Sequence, residues 1–184
     1  MSDTAVTRLT FADFERLPET PYRQELLHGE LIELPPPKRK HNKSAQRFFL
    51  RLLAVVTEAQ ARGALAHLGE VYHGMGYRFE DDGWLIPDVS ITHTDQQGDD
   101  YYLGSPALAV EVISDEKTAD YVAGKIDQFL KGGALEVWVA YPRRKQLWVY
   151  APDGKCAMHS GVFASALLGG ATIDLDEILA WSEE

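Results

Sequence analysis

The chain has 184 residues, 45% hydrophobic and 25% charged, which suits one globular domain over residues 1–184. It has no apolar run of the ~20 residues that cross a bilayer. Met1 to Thr10 lack the basic-then-apolar pattern of a signal peptide, so a cytoplasmic protein without a membrane partner is expected. The single cysteine, Cys156, excludes an intrachain disulfide and a cysteine-based zinc site, and the net charge of −10 weighs against nucleic-acid binding unless basic residues cluster locally or metal ions screen the carboxylates.

Leu9 to Leu17 predicts a short helix, with Thr10 as N-cap, Asp13 in the position of a capping-box acid and Pro18 as the stop. Gln24 to Leu34 alternates around His28-Gly29, which predicts a hairpin. Pro35-Pro36-Pro37 breaks the second strand and is followed by the basic run Lys38-Arg39-Lys40. From about His41 to Arg62, the residues Ala45, Phe48, Phe49, Leu52, Leu53, Val56 and Ala59 form the stripe of a long helix. His41 falls on that inward stripe at the helix start.

Glu70 to Glu80 and Trp84 to Thr92 read as two strands of a hairpin turning at Asp81-Asp82-Gly83. The nearly unbroken apolar run Ala107 to Ile113 suits a central strand covered on both faces. Ala119 to Lys131 is helical and Gly132-Gly133 ends it. Glu136–Tyr141 and Gln146–Tyr150 form another hairpin, and Leu175 to Trp181 a last short helix. This order of elements predicts an α/β fold: a central mixed sheet flanked by helices, preceded by a helix and a hairpin.

Three side chains stand out. Glu111 interrupts the apolar central strand, where a lone carboxylate costs several kcal/mol unless paired; the pairing is either a buried salt bridge or a metal ion. Asp88 follows Pro87, which cannot donate to a ladder, so a bulge or edge is expected there, aiming the carboxylate outward; an ordinary Pro-Asp turn reads the same way. Taken together, two acids on successive strands supply the hard oxygen ligands that Mg²⁺ or Mn²⁺ takes. Lys125 shares its helix face with Val122, Ile126 and Phe129, either snorkelling from the edge of the stripe or reaching the site of Glu111. His67, His73, His93 and His159 show no metal-ligand spacing.

These segments resemble the Uma-two family of restriction-endonuclease-like proteins within the PD-(D/E)XK superfamily. The resemblance is carried by Gln24-Glu25-Leu26-Leu27-His28-Gly29-Glu30-Leu31, the Pro36-Pro37 turn leading to His41, Pro87-Asp88-Val89, Val110-Glu111-Val112-Ile113-Ser114, and Asp120 through Lys125, within about residues 9 to 151. It implies a restriction-endonuclease-like core and a metal-dependent endonuclease acting on DNA. Asp88 and Glu111 would be the metal ligands, with Glu25, Asp88, Glu111 and Lys125 as the catalytic set. Glu25 would be an added ligand or would orient water, and Lys38, Arg39, Lys40 and His41 would meet the phosphate backbone, in a chain that could pair as a homodimer.

The sequence departs from the superfamily pattern at Ile113, where the lysine two residues after the second acid is expected. The resemblance implies that Lys125 has taken that role. The loop Ser114-Asp115-Glu116-Lys117 also differs from the family's Ser-Pro-Ser-Thr. Both departures leave open a second reading, a nuclease fold without catalysis that binds metal or nucleic acid or serves in assembly. For that reading, the aromatic side chains Trp138, Tyr141, Trp148 and Tyr150 of the last hairpin are either interface or core.

Overall fold

A computed structural model describes residues 8–114 and 117–180. Its first helix, α1 (Phe11–Phe14), carries the capping box read from the sequence: Asp13 N donates to Thr10 Oγ1 at 3.2 Å, and Thr10 N to Asp13 Oδ2 at 3.1 Å. The helix is a single turn rather than the longer element expected to Leu17. Strands β1 (Arg23–Leu27) and β2 (Glu30–Leu34) pair antiparallel. Their two-residue turn has both His28 (φ 51°) and Gly29 (φ 78°) left-handed, the backbone that matches the twist of a tight hairpin.

Helix α2 (Arg39–Ala61) begins at Lys38 as N-cap. The basic run therefore occupies the cap and first turn, rather than a loop before a helix starting at His41. The expected long hairpin between Glu70 and Thr92 is the main departure. Each of its strands is cut in two: β3 (Leu68–His73) and β4 (Tyr77–Phe79) on one side, β5 (Gly83–Leu85) and β6 (Val89–His93) on the other. β4 and β5 keep the predicted turn, but β3 pairs with β6 in a different sheet. The breaks fall at Gly74-Met75-Gly76 and Ile86-Pro87-Asp88. A Cβ at Gly76 would lie 2.0 Å from the Trp84 ring, so only glycine lets the chain cross there.

The remaining elements are β7 (Tyr102–Leu103), β8 (Leu108–Val112), α3 (Ala119–Lys131), β9 (Glu136–Tyr141), β10 (Gln146–Tyr150), β11 (Cys156–Ser160), β12 (Val162–Ser165), β13 (Ala171–Asp174) and α4 (Leu175–Ile178). Trp181, expected in the last helix, lies outside the described residues. The main sheet has the order β11-β10-β9-β8-β6-β3, with β8 and β9 parallel and the other neighbours antiparallel. A second sheet has the order β2-β1-β5-β4-β7, and β12 pairs with β13.

Side chains alternate across the main sheet. Leu108, Val110 and Val112 of β8 and Trp138 and Ala140 of β9 face Phe48, Leu52 and Val56 of α2. Ala109, Val137 and Val139 face Val122 and Phe129 of α3, together with Leu27, Tyr77 and Leu85 of the second sheet. β8 is thus buried on both faces, which is why it reads as an unbroken apolar run. Glu111 falls on the α3 side. Trp138 is wholly buried, whereas Tyr141, Trp148 and Tyr150 are half-buried against the second core. Among the described residues no helix is long and apolar enough to cross a membrane.

Candidate active site

Asp88 immediately precedes β6, and Glu111 lies in its antiparallel neighbour β8, where Val89 is paired with Val110. The two carboxylates therefore meet at one end of the main sheet. Asp88 does not point outward as Pro87 suggested: it is 4% exposed, and Val112 N donates to its Oδ2 at 2.7 Å. The cause is the crossing at Ile86–Asp88. It brings the carboxylate back over the end of β8, where a backbone amide and nearby cations offset its desolvation.

The side chains around Asp88 come from three parts of the chain. Lys117 Nζ stands between the acids, 2.9 Å from Asp88 Oδ2 and 2.6 Å from Glu111 Oε2. His41 Nε2, from the first turn of α2, is 3.1 Å from Asp88 Oδ2. Arg23 Nη1, from β1, is 3.8 Å from Asp88 Oδ1. On the far side of Glu111, Lys125 Nζ is 2.6 Å from Oε1 and 3.1 Å from Glu25 Oε2, and it donates to Ile86 O at 3.1 Å. The contact to Oε1 is an ion pair without hydrogen-bond alignment, so that buried oxygen has no hydrogen-bond partner.

Glu25 is wholly buried. It accepts from Tyr121 Oη at 2.6 Å, Arg23 Nε at 3.1 Å and Ile86 N at 3.3 Å. Helix α3 presents both Tyr121 and Lys125, four residues apart on one face, and Thr118 caps it by accepting from Tyr121 N at 3.2 Å. The carboxylates Glu25, Asp88 and Glu111 thus face Arg23, Lys117 and Lys125, one cation for each acid.

Burial pushes the carboxyl of Asp88 up, but Lys117, the hydrogen bond and charge of His41, and Arg23 together hold it well below the usual range. Burial likewise opposes ionised Glu25, and Lys125, Arg23 and Tyr121 outweigh it, leaving the carboxyl lowered. Desolvation works against the charge of Lys117, yet Asp88 and Glu111 raise it above the ordinary lysine range. The Tyr121 phenol is also raised, by burial and then by Glu25 and Glu111. Asp88 and Glu25 are therefore carboxylates and Lys117 an ammonium around neutrality, with Tyr121 a neutral donor.

Glu25, His41, Asp88, Glu111 and Lys125, singled out from the sequence, come together here. Lys38, Arg39 and Lys40 are exposed on the cap and first turn of α2, outside the buried cluster. Arg23, Lys117 and Tyr121 escaped the sequence reading. Arg23 and Glu25 lie two apart on one strand face, and Tyr121 one helical turn before Lys125; both spacings were readable. Lys117 sits in a loop, where no periodicity points to it, and Asp115 and Glu116 of that loop lie outside the described residues.

A cavity of about 40 Å³ opens onto the cluster, lined by Arg23, Pro36, Pro37, His41, Asp88 and Lys117. Neither Glu25 nor Lys125 lines it. The space admits water molecules, and Lys117 rather than Lys125 is the ammonium facing it. Among the described residues no group of three or more His, Cys, Asp or Glu side chains is arranged to hold a metal ion.

The central mixed sheet flanked by helices, with Asp88 and Glu111 meeting at one end of two neighbouring strands, is a restriction-endonuclease-like α/β fold. The chain belongs to the Uma2 family, described as "Putative restriction endonuclease", whose model matches residues 11–182. The family therefore extends through the tail beyond residue 151, where the sequence resemblance had stopped. The chain is also similar to a solved structure of a putative nuclease belonging to DUF820 from Anabaena variabilis, with a TM-score of 0.76 and 19% identity over 94% of this chain and 98% of that one. At that identity the likeness speaks for the fold. No curated protein matches.

Proposed function

We propose that the chain is a metal-dependent endonuclease that hydrolyses DNA phosphodiester bonds. The observation that carries this reading is the pair Asp88 and Glu111, buried at one end of adjacent strands and sharing the ammonium of Lys117, 2.9 Å and 2.6 Å away. The donor set fits a hard divalent ion: both ligands are carboxylates, and they already surround a positive charge. Asp88 and Glu111 would hold Mg²⁺ or Mn²⁺. Such an ion, when bound, polarises the scissile phosphate and lowers the pKa of a bound water.

The chain's own residues do the rest. Lys125, held by Ile86 O at 3.1 Å, orients Glu25 and Glu111 from behind. Arg23 and His41, at the cavity wall, meet the negative charge of a phosphate and the charge that develops on it. Lys38, Arg39 and Lys40 stand at the N-terminal end of α2, where the helix dipole adds to their positive potential. Arg143 and Arg144 lie just beyond the C-terminal end of β9. That end is parallel and adjacent to the end of β8 carrying the site, so basic residues flank the carboxylates despite the net charge of −10. These side chains are the expected contacts to the DNA backbone. Two copies, each cutting one strand, would make a double-strand break.

The test is cleavage of plasmid and oligonucleotide DNA with Mg²⁺ or Mn²⁺ and with chelator, beside Asp88→Asn. Chelator-sensitive cleavage that the variant loses supports the reading. Cleavage that survives Asp88→Asn overturns the site. One observation favours a second reading, a binding module without catalysis: the cavity of about 40 Å³ holds only waters, and the acids around it are already paired. On that reading the wild type never cuts, while metal raises its melting temperature and Asp88→Asn abolishes the shift.

A further inference from the structure

The loop after β8 places an ammonium where a metal ion bridging Asp88 and Glu111 would have to bind. Lys117 Nζ touches one oxygen of each acid, at 2.9 Å and 2.6 Å. Its side chain is only 6% exposed, yet it lines the cavity with Arg23 and His41. Lys125 cannot play this part: it lies behind Glu111, wedged against Glu25 and Ile86 O. Two buried carboxylates facing each other repel unless a cation stands between them, and Lys117 is the cation standing there.

We infer that Lys117 is a built-in competitor for the metal ion, occupying its position between Asp88 and Glu111 and leaving for the cavity mouth when a divalent ion binds. The inference rests on Asp88 and Glu111 being the metal ligands. Geometry sets the direction of travel. Glu111, Lys125 and the core close the inner side, while Arg23, Pro36, Pro37 and His41 border the cavity that Lys117 lines. Lys117 precedes the cap of α3 at Thr118, so its side chain can leave without unwinding the helix that holds Lys125.

Two consequences follow. Deleting the ammonium removes a competitor at hydrogen-bond distance from both ligands, so metal binding tightens. Opposite charges at such distances bias a site by a factor of ~10 or more, and a gain of that order is expected. In the wild type, metal binding exposes Lys117 to reagents from which it is otherwise shielded.

The experiment measures Mn²⁺ binding by the loss of its free-ion paramagnetic resonance signal, for wild type and Lys117→Met, which keeps the aliphatic stem. In parallel, wild-type lysines are acetylated with an amine-reactive ester with and without Mn²⁺ and read by mass spectrometry, with exposed Lys131 as the internal reference. The expected results are tighter Mn²⁺ binding by Lys117→Met and a metal-dependent rise in Lys117 acetylation. Equal or weaker binding by the variant, with Lys117 still shielded in the Mn²⁺-loaded wild type, overturns the inference and leaves the metal site standing. Absence of Mn²⁺ binding by both proteins overturns the metal site and the inference together. If Lys117→Met does not fold, the wild-type acetylation decides alone: no rise at saturating Mn²⁺ overturns it.

Discussion

Replacing Lys125 by methionine keeps the length and apolar stem of the side chain and deletes its charge. The lysine is 0% exposed, and its ammonium serves Glu111 at 2.6 Å and Glu25 at 3.1 Å. Removing one partner of a buried pair costs ~3–5 kcal/mol. Here the abandoned carboxylates keep other partners: Lys117 on Glu111, Arg23 and Tyr121 on Glu25. The cost therefore falls at the low end, about 3 kcal/mol, which with a urea slope of about 2 kcal/mol/M lowers the unfolding midpoint by ~1.5 M.

The same substitution carries a pH signature. In the wild type the folded Glu25 carboxyl lies below its ordinary value. Its contribution is fully present above the unfolded carboxylate pKa and is lost as pH falls through the folded one. Without Lys125 the balance moves toward burial, which raises the carboxyl, so protonation in the acid relieves the variant. The deficit of Lys125→Met is thus largest near neutrality and shrinks toward about pH 4. Urea unfolding followed by tryptophan fluorescence at about pH 7.5 and about pH 4.5 measures both effects. A midpoint unchanged at the higher pH, or a deficit identical at both, refutes the charge-pairing argument.

Tyr121→Phe removes the 2.6 Å bond to Glu25 and should cost ~1.5–3 kcal/mol, as expected for a bond to a charged group, read from the same urea curves. Thr118→Ala deletes the cap of α3; a loss of ~1 kcal/mol and faster amide exchange in the first turn of that helix are expected. Gly76→Ala places a methyl 2.0 Å from the Trp84 ring. That ring is held against Tyr101 at a centroid distance of 4.5 Å, so overpacking of ~1–3 kcal/mol should lower the melting temperature.

Local rules reach some of these elements and not others. Helix α3, Ala119–Lys131, and the hairpin β9–β10 match their sequence boundaries because periodicity, Thr118 and Gly132-Gly133 agree there. The hairpin between Glu70 and Thr92 was misread because a period-two pattern does not tell which sheet a strand joins. Strands β3 and β4 continue the same alternation, yet they diverge at Gly74-Met75-Gly76 and pair in separate sheets. Glu111 and Lys125 were conspicuous as charges on apolar faces. Arg23 and Lys117 were not, since a charge in a half-buried strand or a loop looks like any solvated residue.

By itself the sequence determined the chemistry available: which carboxylates interrupt apolar runs, which lysine faces inward, and where helix α3 begins and ends. These follow from single-residue preferences and from spacings within one element. Only the tertiary structure decided that Asp88 turns inward onto the Val112 amide, that Arg23 and Tyr121 converge on Glu25, and that Lys117 stands between the two acids. The contacts of Asp88 with Val112 and Lys117 and of Tyr121 with Glu25 join residues 24 to 96 positions apart. Nothing in the spacing of such residues encodes their meeting; it arises from the way two sheets and two helices close over a shared buried charge, where each acid must find a cation or pay its full desolvation.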